Sequence, residues 1–173
     1  MNMIRQATLE DAPAIARVHV ESWQSTYRGI IPDTYLDNLS TAPRERMWTR
    51  ILSATADTSI VLVAVDKAGE IVGFINGGRE RDNDPVYNAE LYAIYLLDSC
   101  HGHGTGRALT QALAAHLVQA GYSTMLVWVL ADNPTVGFYQ HLGAHYLRSK
   151  RDEIGGADLE EAAYGWSDIR ALL

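Results

Sequence analysis

The chain has 173 residues, 47% hydrophobic and 20% charged, with a formal net charge of −7. That length suits one domain with a substantial core, and the acidic balance excludes a nucleic-acid binder, which needs a basic footprint. A single cysteine, Cys100, excludes an internal disulfide framework. No run approaches the roughly 18 apolar residues of a membrane span, and the opening Met-Asn-Met-Ile-Arg-Gln has no apolar signal core, so a cytoplasmic protein is expected.

In chain order, a short strand over residues 3–6 leads to a helix opened by Thr8, with Asp11 as its capping-box partner. Ile15, Val18 and Ser22 mark the buried side of that helix, and Gly29 ends the segment. Residues 30–39 predict a short helix starting at Pro32, and residues 43–52 a third. Residues 59–65 and 70–75 form a hairpin around a turn ending in Gly69, and 79–85 form a charged loop. A strand over 90–97 follows, then a helix from Arg107 in which Leu109, Leu113 and Leu117 recur with helical spacing. Residues 124–130 read as a strand that Asn133-Pro134 stops, leading into a helix that Gly143 closes. Two last strands, 144–150 and 160–166, join through Gly155-Gly156. No repeat or long linker interrupts this order. The predicted class is α/β, with an α+β-like mixed sheet.

The junction between residues 90–97 and the next helix carries the chemistry. Its loop reads His101-Gly102-His103-Gly104-Thr105-Gly106. Strand, glycine loop, helix is the order that aims backbone N–H groups at a phosphate, and the helix N-terminus adds positive potential. A P-loop is excluded because no Lys follows the glycines; a dinucleotide fingerprint fails because its third Gly falls on Arg107 or Leu109. The loop resembles the acetyl-CoA loop, Arg/Gln-x-x-Gly-x-Gly/Ala, of the GNAT superfamily of acyl-CoA-dependent N-acyltransferases. His101 departs from it, standing where Arg or Gln is usual. The Asn133-Pro134 turn and the helix bearing Phe138-Tyr139 resemble the family's second signature, with Gly137 for the usual Ala and Ala144 for Phe. Residues 4–11 look like the family's first strand and helix start.

The resemblance implies a GNAT fold whose two central parallel strands splay apart. Acetyl-CoA would serve as co-substrate, and no metal is called for. The glycine loop, from His101 through Gly102, His103, Gly104, Thr105 and Gly106 to Arg107, would hold the pyrophosphate. Leu96 and Leu97 would offer strand backbone to pantetheine and the thioester oxygen, and Asn133 would hydrogen-bond pantetheine. Glu90 would be the general base: it lies eleven positions before His101, an offset at which some family members carry a catalytic glutamate. Strand alternation would set it on one face with Tyr92, Ile94 and Leu96. Tyr139 would be the acid that protonates the leaving thiolate. Trp23, Tyr27 and Tyr92 would line the acceptor pocket, with Trp48 in the same aromatic region. His19, His116, His141 and His145 read as surface residues. The expected acceptor is a primary amine of a small molecule such as an amino acid or polyamine; a protein N-terminus or lysine, a non-catalytic acyl-CoA sensor, and a homodimer stay open.

Overall fold

Uninterrupted β-branched and aliphatic runs, such as Ile60-Val-Leu-Val-Ala-Val65, mark strands covered on both faces. The computed structural model describes residues 2–54 and 59–173. Its order is β1 (Met3–Gln6), α1 (Ala12–Thr26), α2 (Asp33–Asp37), α3 (Thr41–Ser53), β2 (Ile60–Val65), β3 (Ile71–Arg79) and β4 (Ala89–Leu96), then α4 (Thr105–Gln119), β5 (Met125–Leu130), α5 (Val136–His141), β6 (His145–Ile154) and β7 (Ala157–Trp166). Seven strands form one sheet in the order β1-β2-β3-β4-β5-β7-β6. Every neighbouring pair is antiparallel except β4–β5. Among the described residues no helix is long and apolar enough to cross a membrane.

Alternation along β2 distributes the core. Val61 and Val63 pack with Ile15, Val18, Trp48 and Phe74 under α1 and α3. Leu62 and Ala64 face Leu109, Leu113 and Leu117 of α4. Each fully buried leucine of that set contributes roughly 2 kcal/mol by area.

Several elements differ from the expected bounds. A 3-10 turn at Leu9–Asp11 precedes α1; Asp11 accepts the Thr8 N–H at 2.7 Å and two guanidinium bonds from Arg5. Arg5 is the leading reason the Asp11 carboxyl lies below its ordinary value. Strand β3 runs on to Arg79, through Gly77-Gly78, which composition alone marks as a break. Gly77 is needed there: a Cβ would stand 2.8 Å from Leu113 and 2.9 Å from the Glu90 carbonyl. Strands β6 and β7 are ten residues each, longer than predicted, because their charged tips stay paired up to Ile154↔Ala157 around the Gly155-Gly156 turn.

His19 is a correction. It is a core residue, 7% exposed; Trp48 donates its indole N–H to Nδ1 at 3.1 Å, and Tyr95 stacks on the ring at 5.3 Å. Trp48 likewise belongs to this core, not to the acceptor pocket. Burial, with Arg44 second, lowers the His19 pKa to about 3 from an ordinary 6.5. Between those values the unfolded chain binds the extra proton, so stability rises with pH and is lost on acidification. His19→Gln keeps an acceptor near Trp48 but cannot titrate. Denaturant melts from pH 6 to 4 should show the parent losing about 1 kcal/mol per pH unit more than the variant; parallel curves would remove His19 from the acid response.

Candidate active site

The site begins where β4 and β5 stop pairing. Their parallel ladder holds only Ala89↔Met125, Glu90↔Leu126 and Leu91↔Val127. Immediately beyond, Tyr92 is an extra residue in β4: Gly77 faces Leu91 while Asn76 faces Ala93. A bulge of this kind bends its strand and sharpens the local twist. It also reverses the faces. Leu91 packs towards α4, yet beyond Tyr92 it is Ile94 and Leu96 that do so, while Ala93 and Tyr95 turn towards α1. Glu90 therefore shares a face with Ala93 and Tyr95, not with Ile94 and Leu96 as uniform alternation predicts.

Leu97 gives its N–H to the Val72 carbonyl at 2.9 Å. Counting back by twos, residues 95 and 93 also face β3, so the peptide groups of Ile94 and Leu96 point into the gap. A cavity of about 690 Å³ fills that gap, lined by both strands, the glycine loop, α5 and the tips of β6 and β7. Leu97 and His103 do not line it: Leu97 is spent on β3 and the core, and His103 faces solvent.

At one end lies the N-terminus of α4. Gly104 caps it with φ of 80°, a left-handed conformation that L side chains rarely adopt. The first helical turn, Thr105, Gly106 and Arg107, lines the cavity and presents the N–H groups that a helix leaves unpaired. The space above it is tight, since a Cβ on Gly106 would meet the Phe138 ring at 3.3 Å. The His101 ring folds back, its Nε2 lying 3.2 Å from the Leu96 carbonyl. This end can hold a phosphorylated group, and the free edge of β4 can pair with an extended amide chain.

Midway, three phenols line the gap. Tyr27, Tyr95 and Tyr139 all have pKa values raised by burial above that of an ordinary phenol. Asn133, 6% exposed, sets the start of α5: its Oδ1 accepts from the N–H and hydroxyl of Thr135 at 2.9 and 2.7 Å. Its Nδ2 points to the Tyr27 hydroxyl at 3.5 Å, and Tyr27 packs edge-on to Trp23 at 5.0 Å.

The far end is charged and aromatic. Glu90 is 2% exposed, and Arg81 takes both its oxygens, Nη2 to Oε1 and Nε to Oε2 at 3.1 Å, with the Arg81 N–H adding a third bond. The Arg81 guanidinium also lies 4.3 Å from the Tyr92 ring centroid, and Tyr92 donates its hydroxyl to the Arg79 carbonyl. The loop holding Arg81 is set by its own carboxylates. Glu80 accepts the N–H groups of Asp82 and Asp84, and Asp84 accepts those of Val86 and Tyr87 while pairing with Arg148. Glu90, read from the sequence as the general base, is thus buried with both carboxyl oxygens accepting from Arg81.

A model of the acetyltransferase (GNAT) family matches residues 19–144. The chain belongs to the GNAT family. An uncharacterized N-acetyltransferase of Bacillus subtilis, YuaI, is 42% identical over 99% of this chain and 96% of its own length. The fold is shared with an N-acetyltransferase of Staphylococcus aureus (TM-score 0.75, 21% identity, covering 98% of this chain and 99% of that one). It is shared also with a Salmonella typhimurium protein determined with acetyl-CoA (TM-score 0.72, 21% identity, 96% of this chain and 93% of that one).

In this GNAT chain the cavity gathers most of the residues singled out from sequence: Trp23, Tyr27, Glu90, Tyr92, Leu96, His101, Gly102, Gly104, Thr105, Gly106, Arg107, Asn133 and Tyr139. Sequence reasoning passed over Arg81, Tyr95, Trp128, Lys150, Asp152 and Glu161, which line it too. Only the two adjacent acids Glu160-Glu161 inside a strand gave a signal.

The Arg81–Glu90 pair has a measurable worth. Removing the cation leaves a buried carboxylate without its partner. Arg81→Met should cost about 2 kcal/mol, discounted because Arg81 is itself largely exposed, and under 1 kcal/mol in a Glu90→Gln background. Equal costs in both backgrounds, by urea unfolding, would show that the pair is not coupled.

Proposed function

We propose that this protein transfers the acetyl group of acetyl-CoA to a primary amine of a small molecule by direct attack, without a covalent enzyme intermediate. One observation carries the reading: the N-terminus of α4, the unpaired edge of β4 and the Tyr139 ring all line a single cavity. The loop at Gly102 to Arg107 would hold the pyrophosphate through backbone donors. The peptide groups of Ile94 and Leu96 would pair with the pantetheine arm and steady the thioester oxygen. Acetyl-CoA supplies the activated acyl carbon; the chain supplies position and proton handling. Cys100 sits beside the loop, and among the described residues its thiol has a side-chain hydrogen-bond contact with the Ser99 hydroxyl at 3.9 Å and with no histidine or carboxylate, which disfavours a thioester on the enzyme.

A small acceptor suits a cavity closed over beyond Leu130. The tip of the β6–β7 hairpin lies against α2, so closely that a Cβ on Gly155 would stand 2.7 Å from the Tyr35 ring. Ile154, Leu159, Tyr35 and Leu130 join in one apolar cluster there. A peptide chain crossing the site would have to part that contact. CoA-thiol release should therefore be seen with one or more members of a panel of amino acids, polyamines and aralkylamines, and not with peptide N-termini or lysine peptides. Turnover confined to peptides would reverse the assignment.

Tyr139 is the proposed donor to the departing sulfur. Its raised pKa keeps the phenol neutral, able to donate a hydrogen bond as the C–S bond breaks. Outright transfer is harder from so weak an acid, but the thiolate grows more basic in the same desolvated space. Tyr139→Phe should lower kcat by roughly 10- to 1000-fold while acetyl-CoA still binds, with a stability loss of about 1 kcal/mol. Unchanged turnover would make Tyr139 a packing residue.

A further inference from the structure

We propose that Glu161 of β7, and not Glu90, takes the proton from the acceptor's ammonium group; this rests on the acetyl-transfer reading above. Three observations lead there. The first is position. Glu161 is the partner of Leu130 in the β5–β7 ladder. The last β4–β5 pair is Leu91↔Val127, and the bulge at Tyr92 absorbs one residue. Counted from there, Tyr95 stands level with Leu130, and so with Glu161, across the gap. That level lies beside the peptide groups of Ile94 and Leu96, where the thioester is expected.

The second is orientation. Ala162 and Tyr164 pack towards α4, so Glu161 turns to the other face. That is the face of Glu90 and Tyr95, on the acceptor side of the sheet, and Glu161 lines the cavity from it.

The third is availability. Both oxygens of Glu90 are held by Arg81, and a carboxylate so bonded has little to offer an incoming proton. The Glu161 side chain is 18% exposed, and its ion partner Lys150 lies 3.7 Å away, longer than a hydrogen bond. Facing Glu161 are Lys150 and Asp152 from β6, Arg81 from the loop before β4, and Tyr95 from β4. Burial is the leading cause of a raised Glu161 pKa; Asp152 adds to it, and Lys150 and Arg81 oppose it. A carboxylate displaced in that direction is better matched to an ammonium proton.

The step balances. One ammonium proton passes to the Glu161 carboxylate, freeing the nitrogen lone pair. That pair forms the C–N bond to the acetyl carbon as the C–S bond breaks, and the sulfur keeps its electrons. Tyr139 gives the sulfur a proton and recovers one from the new amide nitrogen, which has one to lose. Glu161 then releases its proton to water.

The test is the pH profile of kcat/KM for the best amine of the panel, at saturating acetyl-CoA. Glu161→Gln should lower kcat/KM by roughly 100-fold at pH 7.5 and abolish the acidic limb, with acetyl-CoA affinity by calorimetry unchanged. Lys150→Met should move the acidic limb to higher pH, because it deletes a cation that favours the ionised carboxylate. Glu90→Gln should keep the limb, displaced if anything to lower pH because Arg81 loses its counter-charge and acts more strongly on Glu161. A Glu161→Gln rate within about threefold of the parent, or a limb abolished by Glu90→Gln and kept by Glu161→Gln, would overturn the proposal alone. Should Glu161→Gln fail to bind acetyl-CoA, the Lys150→Met shift decides, and an unmoved limb overturns it. No CoA release by the parent with any amine would sink the acetyl-transfer reading and this proposal together.

Discussion

Beyond Leu91 and Val127 two adjacent strands of one sheet no longer hydrogen-bond to each other, and the rest of the molecule is arranged around that failure. Buried peptide groups ordinarily find partners within the sheet, so a ladder that ends in mid-sheet leaves donors and acceptors in need of an occupant. The extra residue at Tyr92 produces the divergence. Because the neighbouring pairs β3–β4 and β5–β7 continue at full length, the gap is held open by rigid walls instead of by a loop. A cleft made this way is present before any ligand arrives, so little ordering entropy is lost on binding.

The gap also divides the polar from the apolar demands of the site. Facing it midway are phenols whose burial disfavours ionisation, so they act as neutral donors. Backbone dipoles at α4 mark one end and the Arg81–Glu90 pair the other, while Glu161 and Lys150 reach the gap from β7 and β6 at the level of Tyr95. The burial of these phenols strengthens any hydrogen bond they make to a developing oxyanion or thiolate.

Much of this was legible in the sequence. The glycine loop, the strand before it and the Asn133-Pro134 turn are local patterns, and local patterns survive in one dimension. The bulge did not announce itself, since Ala89–Leu96 alternates plausibly with or without an extra residue; only the opposing strand shows where the count slips. Hence Glu90 was set on the wrong face and its partner Arg81, nine residues earlier in a charged loop, went unread. His19 was misread for a related reason: a lone histidine on a helix carries no mark of the tryptophan 29 positions away that fixes it. The charged tips of β6 and β7 looked like loop because their exposed faces are free to carry any polar residue while the backbone stays paired.

The hairpin of β6 and β7 has one more implication. It forms the edge of the sheet, ends in two glycines, and supplies Lys150, Asp152 and Glu161 to the cavity wall. Changes of length or sequence at its tip would reshape that wall while leaving the loop from Gly102 to Arg107 as it is. Divergence among descendants of such a chain would then collect in this ribbon, and a new acceptor could be acquired by exchanging some twenty residues in one cassette.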